Sequence, residues 1–136
     1  MSIVPTIVLS NTAHGAANGP VGGGNPSANG GSGAYNGTDL NWYTPALKGD
    51  GYYGYTDGLH TVSYKLTGFV GVIGFQASLA TNPTSTDWFD ITASQVGNGT
   101  TPITISTFKN FSGNFVWVRA AITNFTAGTI NRVLYN

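Results

Sequence analysis

The chain has 136 residues, of which 40% are hydrophobic and only 7% charged, against roughly 25% charged in an average globular chain. Five Lys/Arg balance five acidic residues, all Asp, and there is no cysteine. The length fits one domain. A disulfide framework and a thiolate metal site are excluded, and five scattered cations cannot neutralise the run of phosphates that nucleic-acid binding needs.

At the N-terminus, Ile3 to Leu9 is rich in Ile and Val and predicts a first strand. No basic residue precedes this apolar stretch and Pro5 breaks it, so it makes a poor signal peptide. Residues 14–38 are dominated by Gly, Asn and Ser, with Val21 and Tyr35 as the large apolar groups. Such a segment buries too little surface to offset its ordering entropy, which predicts a loop or arm. The chain therefore divides into an N-terminal strand and Gly-rich arm, residues 1–38, and a β domain, residues 39–136. The longest run without a polar side chain, Phe69 to Phe75, is far short of the about 20 residues of a membrane helix.

From residue 40 onward the pattern is β. Val62, Tyr64 and Leu66 alternate with Thr61, Ser63 and Lys65; Phe69, Ile73, Phe75, Ala77 and Leu79 then share one face. Period-two alternation describes a sheet with one buried face. Gly68, Gly71 and Gly74 mark a turn or a twisted strand start. Asn82-Pro83-Thr84-Ser85 and Gly97-Asn98-Gly99 are turn signals. Further strands are expected at Trp88-Phe89-Asp90-Ile91, at Ile103-Thr104-Ile105, over 114–123, where Val116, Val118, Ala120 and Ile122 share a side, and over 130–135. No window shows a helical period. Short strands punctuated by turns predict an all-β fold, an antiparallel two-sheet β-sandwich of jelly-roll or immunoglobulin-like type, with a closed barrel as the competing architecture.

Catalytic constellations are thin. His14 and His60 are the only histidines, and Asp57 is the one carboxylate near His60. It belongs to an Asp-Gly turn dipeptide and reads as capping that turn, so His60 and Asp57 are a local pair and not a full nucleophile, base and acid set. Asp87 and Asp90 fall on opposite faces of an extended chain and read as turn and strand-end residues. Asp50 and Asp57 could in principle bracket a Ca²⁺ ion, but their spacing fits no EF-hand and turns explain both. No catalytic residue, metal site or cofactor is assigned. The aromatics are more informative. Tyr52, Tyr53 and Tyr55 sit among glycines near Trp42, and with Tyr35 they form the candidate partner-binding set. Interface cores are depleted in charge and enriched in Tyr and Trp, which favours a protein contact over a sugar. Trp88 and Trp117 are expected between the sheets, and Arg119 is expected to be paired with Asp87 or Asp90.

The second half carries a pattern that points further. Gly68-Phe69-Val70-Gly71-Val72-Ile73-Gly74-Phe75-Gln76-Ala77-Ser78-Leu79 is followed by Asp87-Trp88-Phe89-Asp90-Ile91, then by Gly113-Asn114-Phe115-Val116-Trp117-Val118-Arg119-Ala120 and Gly128-Thr129-Ile130-Asn131-Arg132-Val133. With Lys48 to Thr61, this resembles the small β-sandwich modules of tailed-phage virion proteins, especially structural proteins of cyanophage-type myoviruses. The resemblance spans about residues 48–135. It implies a non-enzymatic virion structural protein located on the particle, here expected to be a capsid decoration or cement protein. The alternatives are a neck, tail or fibre component, or a carbohydrate-binding adsorption module. Its implied partners are other virion proteins, such as the major capsid protein or tail and neck subunits, and further copies of itself in a homo-oligomer, with neither nucleic acid nor membrane. A charge-poor surface suits a protein covered by neighbours.

Overall fold

The structure, a computed structural model, describes residues 6–16, 35, 37–54 and 58–136. Most of the Gly-rich stretch, together with Tyr55 and Asp57, lies outside the described residues. Strands run in the order β1 (Thr6–Leu9), β2 (Thr12–Ala13), β3 (Trp42–Tyr43), β4 (Leu47–Lys48), β5 (Leu59–Ser78), β6 (Phe89–Val96), β7 (Ile103–Ser112) and β8 (Trp117–Tyr135), with a one-turn helix α1 (Asp50–Tyr53) between β4 and β5.

Two long strands form the frame. β5 and β8 pair antiparallel along most of their lengths, from Val62 opposite Tyr135 to Ser78 opposite Trp117. On the far side of β8, four short strands line up in turn: β1, β2, β3 and β4. On the far side of β5, β7 pairs with the first half and β6 with the second. All eight strands thus belong to one hydrogen-bonded antiparallel sheet. The all-β expectation stands. Instead of two separate sheets, the strands make one open sheet that bends.

The bend follows from distances. A straight strand from His60 to Phe75 would span about 50 Å. Yet the Phe75 ring lies 6.3 Å from Phe111, which sits opposite His60, and 6.4 Å from Tyr64. The chain turns where the β5–β8 register shifts, between Lys65 and Val72. Bulges of this kind increase local twist and bend a strand. Gly128, with φ +90°, crosses Gly68 so closely that an added Cβ would meet the Gly68 carbonyl oxygen. A side chain there would therefore be strained and would clash with backbone.

The bulges also explain a change of phase in the sequence. Val62, Tyr64 and Leu66 are buried before the bend, and Phe69, Ile73, Phe75 and Ala77 after it. One slipped residue moves side chains to the other face. Combined with the bend, this aims both halves of β5 into the same core. Leu79, expected on that face, falls past the end of β5 and is exposed. The N-terminal segment joins the same sheet: β1 and β2 pair with β8 of their own chain, and Tyr35 lies in the core.

Candidate functional site

The tyrosines of the candidate set divide sharply. β4 pairs with the start of β8, and the chain then doubles back against the segment leading into β8. Gly49 N–H donates to the Val116 carbonyl at 2.8 Å and Gly51 N–H to the Phe115 carbonyl at 2.8 Å. The approach is so close that a Cβ on Gly51 would meet the Asn114 carbonyl oxygen. This clamp holds α1 on the surface and pushes Tyr52 (43% exposed) and Tyr53 (55% exposed) outward. Their rings meet edge to face, with centroids 5.3 Å apart at 77°. Tyr52 also packs edge-on against Trp117 at 5.3 Å, and Lys48 Nζ sits 4.5 Å from the Tyr52 centroid. Trp117 is held in turn by its Nε1–H, which donates to the Thr81 carbonyl at 3.0 Å. The result is a braced aromatic knob. Crossed rings offer no two-ring platform for a sugar, and Lys48 lies over the Tyr52 ring.

Trp42 and Tyr35 are core residues, each about 1% exposed. That corrects their expected place on the partner surface. Tyr35 packs 5.0 Å from Trp42 and 5.2 Å from Phe125. Gly15 N–H donates to the Tyr35 hydroxyl at 2.9 Å, so the polar end of the ring is satisfied without water. Trp42 Nε1 is buried with no hydrogen-bond partner among the described residues. The area these rings remove from water outweighs such a deficit. Tyr55 lies outside the described residues.

A second constellation sits on the outer face of the sheet. Arg119, 2% exposed, has its guanidinium carbon 3.8 Å from the Tyr43 centroid and 4.1 Å from that of Trp88. Its Nε–H donates to Gln76 Oε1 at 3.0 Å, and Gln76 Nε2–H donates to Asp90 Oδ1 at 2.9 Å. Asp90, expected as a partner, is thus linked to Arg119 through Gln76. Asp87 instead closes its own turn, accepting from Thr84 N–H at 2.7 Å. Trp88, expected between sheets, is half-buried over Arg119. Burial pushes the Arg119 pKa down to about 10, with Tyr43 acting in the opposite sense; the group stays cationic at neutral pH. Beside this stack lies a notch of about 200 Å³, lined by Tyr43, Gly74, Gln76, Asp90, Gln95 and Thr123 among others.

His60 is fully enclosed. Nε2 is 2.7 Å from the Gly113 carbonyl and Nδ1 is 2.9 Å from the Tyr135 hydroxyl. A carbonyl only accepts, so Nε2 carries the proton and Nδ1 accepts from Tyr135. The ring also packs against Phe111, Phe115 and Tyr135. These neighbours make it a structural histidine with a fixed tautomer. Its partners are a hydroxyl and a carbonyl, and Asp57 lies outside the described residues. Asp50 is buried at the first turn of α1.

Sequence reasoning singled out Tyr52 and Tyr53, which are exposed, but missed the Arg119 stack. The available signal was a cation, Arg119, embedded in an apolar strand; Tyr43 reaches it from the neighbouring β3 and Trp88 from the segment entering β6. No family model, curated protein or solved structure matches the chain.

Proposed function

We propose that this chain is a non-enzymatic structural protein of a virus particle. It acts as a small β module that docks on other virion proteins, most simply as a decoration protein on the head. The bend that brings Phe75 near Tyr64 and Phe111 supports reading the two halves of the open sheet as the facing layers of a jelly-roll or immunoglobulin-like sandwich, in keeping with the tailed-phage resemblance. One observation carries the reading: the Tyr52–Tyr53 knob is exposed, yet braced by Trp117, Lys48 and the Gly49–Gly51 clamp. Rigid aromatics lose little entropy on contact and anchor protein interfaces. Decoration is favoured over a fibre shaft because the chain is small and has no shaft-like repeat.

Tyr53→Ala tests the reading. Removal of an exposed ring leaves folding stability within about 0.5 kcal/mol, while copies per particle should fall at least tenfold. Copies spread over the whole shell support decoration, and a small ring at one vertex moves the protein to the neck or tail. Unchanged occupancy of the variant refutes the knob as the docking site. Tyr53-dependent hits on a glycan array would replace the reading with an adsorption module.

A further inference from the structure

The two edges of the sheet are built differently. One edge is made of β1, β2, β3 and β4, segments of four, two, two and two residues separated by loops. Short, broken edge strands are how proteins prevent unwanted pairing. The other edge is formed in part by β7, ten residues long and paired with β5 alone among the described residues. Its side chains bring one charge, Lys109, and no proline inside the strand. Ile105 is 43% and Phe108 61% exposed, on opposite faces. A strand paired on one side directs alternate N–H and C=O groups outward, ready to pair with another strand.

We infer that β7 pairs antiparallel with β7 of a second copy, about a two-fold axis perpendicular to the sheet at Phe108. This surface is distinct from the Tyr52–Tyr53 knob, which follows β4 on the opposite edge.

Symmetry narrows the geometry. Two free edges of the same strand can meet antiparallel only by rotation about the sheet normal, which keeps inner faces together. Residues directly opposite then have the same parity. With Phe108 facing its own copy, Ile105 faces Phe111, Thr107 faces Lys109, Ser106 faces Asn110 and Thr104 faces Ser112 of the second copy. This register uses nearly all of β7. It covers Phe108 with an aromatic cross-strand pair and sets Ile105 against Phe111 on the inner face. Centring on Lys109 would set two ammonium groups face to face. Centring on Thr107 would leave Phe108 opposite Ser106 and Ile105 opposite Lys109. The second copy is therefore the occupant that β7 itself matches.

The absence of cysteine makes the register directly measurable. Residues directly opposite have Cα atoms about 4.5–5.5 Å apart, within the range a disulfide spans. Phe108→Cys should cross-link to a covalent dimer under mild oxidation, with Ser106→Cys at least tenfold slower because it faces Asn110. The wild type should sediment at twice the monomer mass at high concentration, and Phe108→Glu at the monomer mass with an unchanged circular dichroism spectrum. A wild type that stays at the mass of one chain at every concentration overturns the pairing. Cross-linking at Ser106→Cys equal to that at Phe108→Cys overturns the register. Tyr53→Ala should cross-link through Phe108→Cys as efficiently as its parent, so loss of particle docking and loss of dimerisation are read separately.

Discussion

Arg119 offers the sharpest test of how a charge is carried inside this sheet. The perturbation is a pair of substitutions, Arg119→Met and Arg119→Lys. In the native protein Arg119 is 2% exposed, and its guanidinium lies near the Tyr43 and Trp88 rings and donates to Gln76. Each ring contact contributes about 2 kcal/mol when desolvated, and a charge-assisted hydrogen bond about 1.5–3 kcal/mol. Against these stands a desolvation penalty of several kcal/mol for the buried ion. Methionine loses the attractions and the penalty together while keeping a long, polarisable side chain between the rings. Its net cost should stay within about 1.5 kcal/mol. Lysine keeps the charge but is a compact, strongly hydrated ammonium with no plane to stack and no fork to reach Gln76. It retains the penalty and loses the compensation, so it should cost about 3–5 kcal/mol. With a urea slope near 1.5 kcal/mol per M, Lys lowers the unfolding midpoint by about 2–3 M and Met by at most about 1 M. Equilibrium urea unfolding followed by tryptophan fluorescence and far-ultraviolet circular dichroism measures both. If lysine is tolerated as well as methionine, net charge matters more than planar stacking and the reasoning fails.

Other consequences follow from the core and the bend. Trp42→Phe removes the buried Nε1–H that lacks a partner among the described residues and should change stability by less than about 1.5 kcal/mol. Trp42→Ala should cost about 3–5 kcal/mol, and equal losses in a thermal or urea series would refute the packing argument. Gly128→Ala places a Cβ against the Gly68 carbonyl at positive φ and should destabilise by about 3 kcal/mol or more; an unchanged midpoint would mean the bend relaxes freely. Burial holds the Tyr64 hydroxyl above the ordinary phenol range, and the group donates to the Ser94 carbonyl at 2.7 Å. A raised folded-state value gives stability that is full below the unfolded value of about 10 and is lost as pH climbs past it. Wild type should therefore weaken above about pH 10, and Tyr64→Phe should start lower but decline less steeply, as read from urea midpoints across that range.

Part of this was written into local sequence. Alternation is a local property, because successive side chains of an extended chain point to opposite faces, so Val62, Tyr64 and Leu66 and then Phe69, Ile73, Phe75 and Ala77 identify themselves as strand positions facing a core. The same holds for Val118, Ala120 and Ile122. Turn chemistry is also local: Asp87 bonds back to Thr84, and Asn98 Oδ1 accepts from the N–H groups of Thr100 and Thr101. Alternation also predicts that one of two adjacent tyrosines leaves the core; Tyr52 and Tyr53 instead sit on the helical turn α1, and both are exposed.

Tertiary structure decided what alternation cannot express. The shift of phase at Gly68 reads equally as a turn between two strands or as a bulge within one, and only pairing with β8 makes β5 a single bent strand. An aromatic residue prefers the interior or an interface by the same loss of water, so Tyr35 and Trp42 could not be separated from Tyr52 and Tyr53 without knowing which elements lie beside them. Arg119 is buried because β3 and the segment entering β6 bring Tyr43 and Trp88 to it from far along the chain. That meeting depends on sheet order, which is set by the sum of all long-range contacts and by no single stretch of residues.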